Sequence, residues 1–144
     1  MSQVIFACVH NAGRSQMAAA FFNRLAHPGR AKAVSAGTQP GPAVYPEVRA
    51  VLREAGVELA EVKPQLITPE LAAQAHLLIT MGCGESCPVV PGVRREDWPL
   101  TDPKGQPLEV VRSVRDEVRD RVEALLLREG WALSASNPRE EGAL

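Results

Sequence analysis

One short segment near the N-terminus constrains the fold of this chain more than any other. It is preceded by the apolar run Val4–Ala7 and followed by residues 17–25, in which apolar side chains recur at helical spacing. A strand that passes into a helix through a tight, glycine-containing loop leaves several backbone N–H groups unpaired, and these suit an oxyanion. The segment therefore predicts a strand, an anion-binding loop and a helix in succession. The loop, which we call the 8–15 loop, consists of Cys8, Val9, His10, Asn11, Ala12, Gly13, Arg14 and Ser15.

The residue types in this loop indicate nucleophilic chemistry. The positive field at the start of a helix favours the thiolate form of Cys8 at neutral pH. Arg14 faces the unfavourable end of the helix dipole, a position that makes sense if an oxyanion lies between its guanidinium and the loop amides. We expect Ser15 to donate its hydroxyl to the thiolate and Asn11 to shape the loop at positive φ. Taken singly, these residues could be a buried thiol, a turn residue and a solvated arginine, but the Cys-x5-Arg-Ser spacing would then be unexplained.

Strands that alternate with helices predict a single α/β domain with a parallel sheet. We expect strands over residues 4–7, 31–36 and 76–81, and a weaker edge strand over 93–98. We expect helices over 17–25, 44–55, 69–75 and 111–125. The domain is expected to cover residues 1–131, with a polar, mobile tail over 132–144. The loops that carry Cys8, Cys83 and Asp102 each follow a strand, so they are expected to meet at the carboxyl edge of the sheet.

Composition excludes several classes of partner. The formal net charge is −1 and no basic block is present, which argues against a nucleic-acid or anionic-membrane partner. No apolar run reaches membrane-spanning length. The chain enters its first strand without a signal peptide, so we expect a reducing cytoplasmic location in which three cysteines do not serve as structural bridges.

Asp102 is the candidate general acid. When a thiolate displaces an oxygen from phosphorus or arsenic, the departing oxygen needs a proton. The alternative is that Asp102 only shapes a turn, because Asp-Pro is common turn chemistry.

Cys83 and Cys87 distinguish a reductase from a phosphatase. Thiol–disulfide exchange could carry oxidation from Cys8 to Cys83 and then to Cys87, where an outside reductant reaches it. On an ideal helix, residues four apart have Cβ atoms roughly 5–6 Å apart, whereas a disulfide needs about 3.8 Å, so a bridge requires a non-helical segment. The alternative is that one or both are inert buried thiols. A zinc site is a poor alternative, because only His76 joins the two cysteines, and we expect no metal.

Together these residues resemble the arsenate reductases built on the low-molecular-weight protein tyrosine phosphatase fold. The likeness extends over nearly the whole chain, through residues 8–18, Ser35–Thr38, Met81–Cys83 and Trp98–Pro103. In conventional tyrosine phosphatases the acid precedes the nucleophile in sequence, whereas Asp102 follows Cys8 far downstream, as in the low-molecular-weight family.

The resemblance implies a three-layer α/β/α fold with a four-stranded parallel sheet. It implies that Cys8 attacks arsenate, for which phosphate or sulfate is an analogue, and that Asp102 protonates the departing oxygen. Cys83 would then attack Cys8 and release arsenite. Cys87 would take over the disulfide and present it to thioredoxin. No cofactor is implied.

Three departures from the family pattern narrow these expectations. The last two cysteines are closer together than in thioredoxin-coupled members, so a low-molecular-weight thiol remains an alternative reductant. The position of an acidic potassium ligand in some members is occupied by Ala19, which predicts no potassium site. Lys104 and Gly105 follow Asp102-Pro103 where phosphatases carry aromatic residues, which favours a small inorganic substrate.

Two other functions remain open. One is a phosphatase that hydrolyses phosphotyrosine or small esters through a phosphorylated Cys8. The other is a non-catalytic binder of oxyanions or arsenite that uses the three thiols.

Overall fold

The computed structural model of the 144-residue chain describes residues 1–59, 61–83 and 87–133. Its strands are β1 (Ser2–Cys8), β2 (Ala31–Gly37), β3 (Leu77–Thr80) and β4 (Arg94–Asp97). Its helices are α1 (Arg14–Leu25), α2 (Pro46–Glu54), α3 (Pro69–Ala72) and α4 (Leu108–Glu129). The strands form one parallel sheet in the order β2-β1-β3-β4, which confirms the predicted α/β class and the parallel four-stranded sheet.

The sheet separates two apolar clusters because successive side chains on a strand point to opposite faces. Val4 and Phe6 of β1 belong to the larger cluster, which helices α1, α2 and α4 cover. Ile5 and Ala7, from the same strand, belong to a smaller cluster on the other face. That second cluster is covered by the short helix α3 and the chain around it, so the molecule has three layers of unequal thickness.

The register brings the strand ends together at one edge. Cys8, the last residue of β1, pairs with Gly37, the last residue of β2. On the other side, Ala7 pairs with Thr80 of β3, which pairs with Asp97 of β4. Chain order reverses around β1, and in sheets of this kind ligands bind beyond the carboxyl ends at such a point.

Most predicted bounds lie within two residues of those in the structure, and helices α1, α3 and α4 differ by more: α1 begins at Arg14 rather than Met17. Helix α3 begins as expected, with the Thr68 hydroxyl accepting a hydrogen bond from the backbone N–H of Leu71 at 3.0 Å. It ends at Ala72 rather than Ala75, because the amides of Gln74 and Ala75 bond three residues back and tighten the last turn before β3. Helix α4 is longer than predicted, and Gly130 in the left-handed conformation ends it.

The predicted mobile tail lies, from residue 134 onward, outside the described residues. In the described ranges, no helix combines the length and the apolar character needed to cross a membrane.

Candidate active site

The Cys8 thiol is buried and makes two hydrogen bonds within its own loop. Cys8 is the last residue of β1 and is only 2% exposed. The Ser15 hydroxyl lies 2.9 Å from Cys8 Sγ, and the backbone N–H of Asn11 donates to the same sulfur at 3.3 Å. Asn11 has φ +52° and is the sole non-glycine residue at positive φ among those described, as the sequence predicted. The side-chain amide of Asn11 donates through Nδ2 to Ser15 Oγ at 2.7 Å.

The segment after β2 runs alongside the 8–15 loop and donates backbone hydrogen bonds to it. Backbone N–H groups of residues 38–45 donate to the loop carbonyls of Cys8, Val9, His10 and Ala12 at 2.8–3.1 Å. These carbonyls are therefore occupied by the neighbouring segment. Gly37 permits this close approach, because a Cβ atom there would lie 2.5 Å from the Val9 carbonyl oxygen.

Arg14 begins helix α1 and is almost completely enclosed. It is 7% exposed, and its Nη1 donates to the Leu100 carbonyl at 3.2 Å. Its Nε is the one buried side-chain nitrogen or oxygen in the described chain without a hydrogen-bond partner. The helix has neither a side-chain cap nor an acidic residue in its first turn. An unpaired guanidinium donor beside an uncapped helix start suits an anion, because both features supply N–H groups and positive charge.

Gly82 lies directly against the Arg14 guanidinium. Its φ is +101°, and a Cβ atom at this position would lie 2.5 Å from Arg14 Nη1. The turn that precedes Cys83 thus packs on the arginine of the 8–15 loop. The sequence indicated a turn here but did not predict this contact, which requires the two loops to meet at the sheet edge.

Asp102 shapes a turn and lies beside the arginine of the 8–15 loop. Its Oδ1 accepts a hydrogen bond from the backbone N–H of Lys104 at 3.0 Å, which shapes a turn. Its Oδ2 lies 3.6 Å from Arg14 Nη2, and the side chain is 45% exposed. Pro103 packs so closely on the 8–15 loop that a Cβ atom on Gly13 would lie 2.9 Å from its Cγ. These contacts place the carboxylate at the loop and in reach of solvent.

Cys83 and Cys87 are joined by a disulfide, with their Cα atoms 5.7 Å apart. Both lie outside helices, as the bridge requires, and both are buried in the smaller cluster, on the opposite face of the sheet from that of Cys8. Cys83 Sγ is 3.7 Å from the Ala7 carbonyl oxygen, next to the end of β1. Cys8 is a free thiol. The three cysteines therefore divide into one free thiol and one oxidised pair.

Sequence reasoning missed Tyr45, the one tyrosine of the chain. It precedes helix α2, and its ring Cδ2 is 3.6 Å from the position of a Cβ atom on Gly13. Burial, followed by the negative charges of Asp102 and Cys8, raises the pKa of Tyr45. The hydroxyl therefore stays protonated at neutral pH. A tyrosine after a Gly-Pro-rich stretch carries no helical or strand pattern, so only the fold brings it to the site.

No cluster of three or more His, Cys, Asp or Glu side chains in residues 1–59, 61–83 and 87–133 is arranged to hold a metal ion.

Comparison with known proteins places these features in a family context. The sequence profile named "Low molecular weight phosphotyrosine protein phosphatase" matches residues 3–136. A putative arsenate reductase of Halobacterium salinarum is 36% identical over 121 residues, which are 81% of this chain and 85% of that protein. A glutaredoxin arsenate reductase of Synechocystis is 36% identical over 131 residues, which are 89% of this chain and 98% of that protein.

Solved structures of arsenate reductases superpose on this chain as well. An arsenate reductase in its oxidised state superposes with a TM-score of 0.78 at 34% identity, covering 89% of this chain and 98% of that one. A thioredoxin-dependent arsenate reductase of Corynebacterium glutamicum superposes with a TM-score of 0.73 at 33% identity, covering 89% of this chain. The match spans only 63% of the length of that second protein.

Proposed function

Because the chain belongs to the low molecular weight phosphotyrosine protein phosphatase family, and arsenate reductases are among its most similar relatives, we propose that it reduces arsenate to arsenite with electrons from thiols. One observation carries the proposal beyond a phosphatase. The two cysteines other than the nucleophile form a disulfide with each other, which is the end state of a cysteine relay. Ester hydrolysis needs a single thiol and leaves such a pair without a role.

Arsenate binds in the 8–15 loop. Arg14 supplies charge-assisted hydrogen bonds, including one from the Nε that is otherwise unpaired. The loop amides from Val9 to Ser15 and the start of helix α1 supply the remaining donors. Phosphate and sulfate, which share the shape and charge of arsenate, bind in the same place as analogues.

The first chemical step joins Cys8 to arsenic. The Cys8 thiolate attacks As(V), the S–As bond forms, and one As–O bond breaks. Asp102 protonates the departing oxygen, which leaves as water. The Ser15 hydroxyl and the backbone N–H of Asn11 donate to the thiolate Sγ and stabilise it before the attack.

The next two steps reduce As(V) to arsenite and transfer the resulting disulfide to the Cys83–Cys87 pair. The Cys83 thiolate attacks Cys8 Sγ, an S–S bond forms, and the S–As bond breaks with its electron pair on arsenic, which leaves as arsenite. The Cys87 thiolate then attacks Cys83 Sγ and Cys8 departs as a thiolate. The turn at Gly82 must move for this, because the cysteine pair is buried on the other face of the sheet from Cys8.

An external thiol closes the cycle by reducing Cys83–Cys87. We propose thioredoxin, a glutaredoxin-type protein or a low-molecular-weight thiol for this step, in the cytoplasm, where such reductants keep thiols reduced.

Disulfide mapping by mass spectrometry after one equivalent of arsenate tests the relay. Wild-type protein should give Cys83–Cys87, whereas Cys87→Ser should accumulate Cys8–Cys83. Cys83→Ser should lose reductive turnover and keep hydrolysis of a small phosphate ester. Equal loss of both activities in Cys83→Ser would refute the relay. Repeated release of arsenite with excess dithiol would exclude a non-catalytic binder.

The second candidate function is phosphatase activity on small phosphate esters. The family relation favours it, since the same loop, arginine and acid suffice for a phosphorylated Cys8. Tyr45 is the aromatic side chain found at the described site. A substrate-sized aryl slot would need further aromatic walls, so this activity should be weak on phosphotyrosine.

A further inference from the structure

We propose that Gln16 is a positioning residue whose side-chain amide holds Asn11 in the conformation that keeps Cys8 ready for attack. Gln16 touches neither the sulfur nor, by its position, the anion. It acts through a chain of hydrogen bonds that ends at Cys8 Sγ. The inference rests on the proposed role of Cys8 as nucleophile and adds a determinant of its ionisation.

Gln16 makes two hydrogen bonds to one residue. It is the third residue of helix α1, is 4% exposed, and its Nε2 donates to the Asn11 carbonyl oxygen at 3.0 Å and to Asn11 Oδ1 at 3.3 Å. Side chains on a helix point back toward its N-terminus, which directs this amide into the 8–15 loop. The Asn11 carbonyl is a backbone acceptor, so the nitrogen of the Gln16 amide, not its oxygen, must face it.

A backbone group also fixes the orientation of the Asn11 side-chain amide. The backbone N–H of Gln65 donates to Asn11 Oδ1 at 2.9 Å, so this atom must be the amide oxygen. The other end of the Asn11 amide is then a donor, and it donates to Ser15 Oγ at 2.7 Å. When Cys8 is a thiolate it has no hydrogen to give, so the Ser15 hydroxyl is the donor in its 2.9 Å hydrogen bond to Cys8 Sγ. A donor aimed at sulfur stabilises the thiolate over the thiol.

Gln16 also supports the strained part of the loop. Asn11 has φ +52°, a conformation that non-glycine residues seldom adopt, and its own N–H donates to Cys8 Sγ. Loss of the Gln16 amide leaves the buried Asn11 carbonyl without this donor, which favours relaxation of the residue away from positive φ. Both hydrogen bonds to sulfur then weaken together. The charged and titratable groups around Cys8, which are Arg14, Asp102 and Tyr45, stay in place.

Gln16→Met tests this role. Methionine has nearly the same length and fills the space, so water from the cavity of about 660 Å³ behind the loop, which Gln16 helps to line, does not replace the amide. The readout is the rate of Cys8 alkylation by iodoacetamide against pH in reduced protein, followed on the Cys8 peptide by mass spectrometry. We expect the midpoint of the profile to move up by about 0.5–1 pH unit, with alkylation at neutral pH about three- to tenfold slower. The kcat for arsenate should fall more than its KM rises.

Asn23→Leu is the matched control. Asn23 lies on the same helix, and its side chain exchanges two hydrogen bonds of 2.8 and 2.9 Å with the backbone of Ala33. Its loss should lower the melting temperature without moving the alkylation profile. If Gln16→Met does not fold, Gln16→Leu replaces it; leucine is uncharged and has no N–H to donate, so it should also shift the profile upward.

The outcomes separate the two proposals. An unshifted profile in a folded Gln16 variant, or an equal shift in Asn23→Leu, overturns the role of Gln16 alone. A wild-type profile like that of a free peptide cysteine overturns the proposed nucleophile itself.

Discussion

Replacement of Gly82 by alanine should separate anion binding from folding. A Cβ atom at this position would lie 2.5 Å from Arg14 Nη1. The obstructed atom is the end of a flexible side chain, so the guanidinium moves and the backbone stays. Alanine at φ +101° also costs about 1–3 kcal/mol of backbone strain.

The expected magnitudes follow from these two effects. A displaced guanidinium loses at least one charge-assisted hydrogen bond to the anion, about 1.5–3 kcal/mol, which corresponds to roughly 10- to 100-fold weaker binding. The strain alone should lower the melting temperature by about 3–10 °C in a chain of this size. Calorimetric titration of the oxidised protein with inorganic phosphate measures the first effect without turnover, and thermal unfolding measures the second.

Gly92→Ala is the matched control for Gly82→Ala. Gly92 has φ +86° with no heavy atom within 4 Å of a built Cβ, so alanine there adds backbone strain and no collision. It should lower the melting temperature by a similar amount and leave phosphate affinity unchanged. Equal phosphate affinity in the two variants would refute the reasoning that Gly82 makes room for Arg14.

Three further predictions concern the rest of the molecule. Gly37→Ala should cost about 3 kcal/mol of stability, measured by urea unfolding, because its Cβ would meet the Val9 carbonyl at 2.5 Å and a backbone atom cannot rotate away; an unfolding midpoint equal to wild type would contradict this. Asp102→Asn should lower kcat for arsenate about 100-fold or more while phosphate still binds, and an unchanged kcat would remove Asp102 as the acid. The hydrogen bonds from Arg128 lower the pKa of Glu96 below its usual 4.5, so this pair stabilises the fold at neutral pH and the effect is lost as pH falls through the lowered pKa. The melting-temperature difference between wild type and Glu96→Gln should therefore shrink below about pH 4.5, and a difference that grows with acidity would show the sign to be wrong.

The local pattern of the chain was enough to predict most of the fold. Residues Val4–Cys8 of β1 are buried without interruption, as the apolar run predicts, and α4 buries side chains at helical spacing, so both elements lie within a few residues of where the sequence placed them. Helix α3 ended early because the return to β3, a tertiary requirement, tightened its last turn. Positive φ at Asn11 was predictable, since asparagine tolerates that conformation better than most residues.

The candidate site was predictable only in part. Cys8, Arg14 and Ser15 share one short loop, so their spacing alone indicated an oxyanion site with a nucleophile. The alternation of strands and loops predicted that the Cys83 and Asp102 loops lie near Cys8, but their contacts and the position of Tyr45 were not predictable, because they depend on distances that only packing sets. Tyr45 directly precedes helix α2, which places it at the site, and no residue pattern near it predicts that position.

The sequence by itself indicated the kind of chemistry, because Cys8, Arg14 and the loop amides lie within eight residues of one strand–loop–helix unit. Tertiary structure alone decided how that chemistry is controlled. It buried the Cys83–Cys87 disulfide on the face of the sheet opposite that of Cys8, and it placed Gly82 against the Arg14 guanidinium. The physical reason is that these contacts join segments about 70 residues apart, whose approach is set by sheet register and core packing rather than by any local preference.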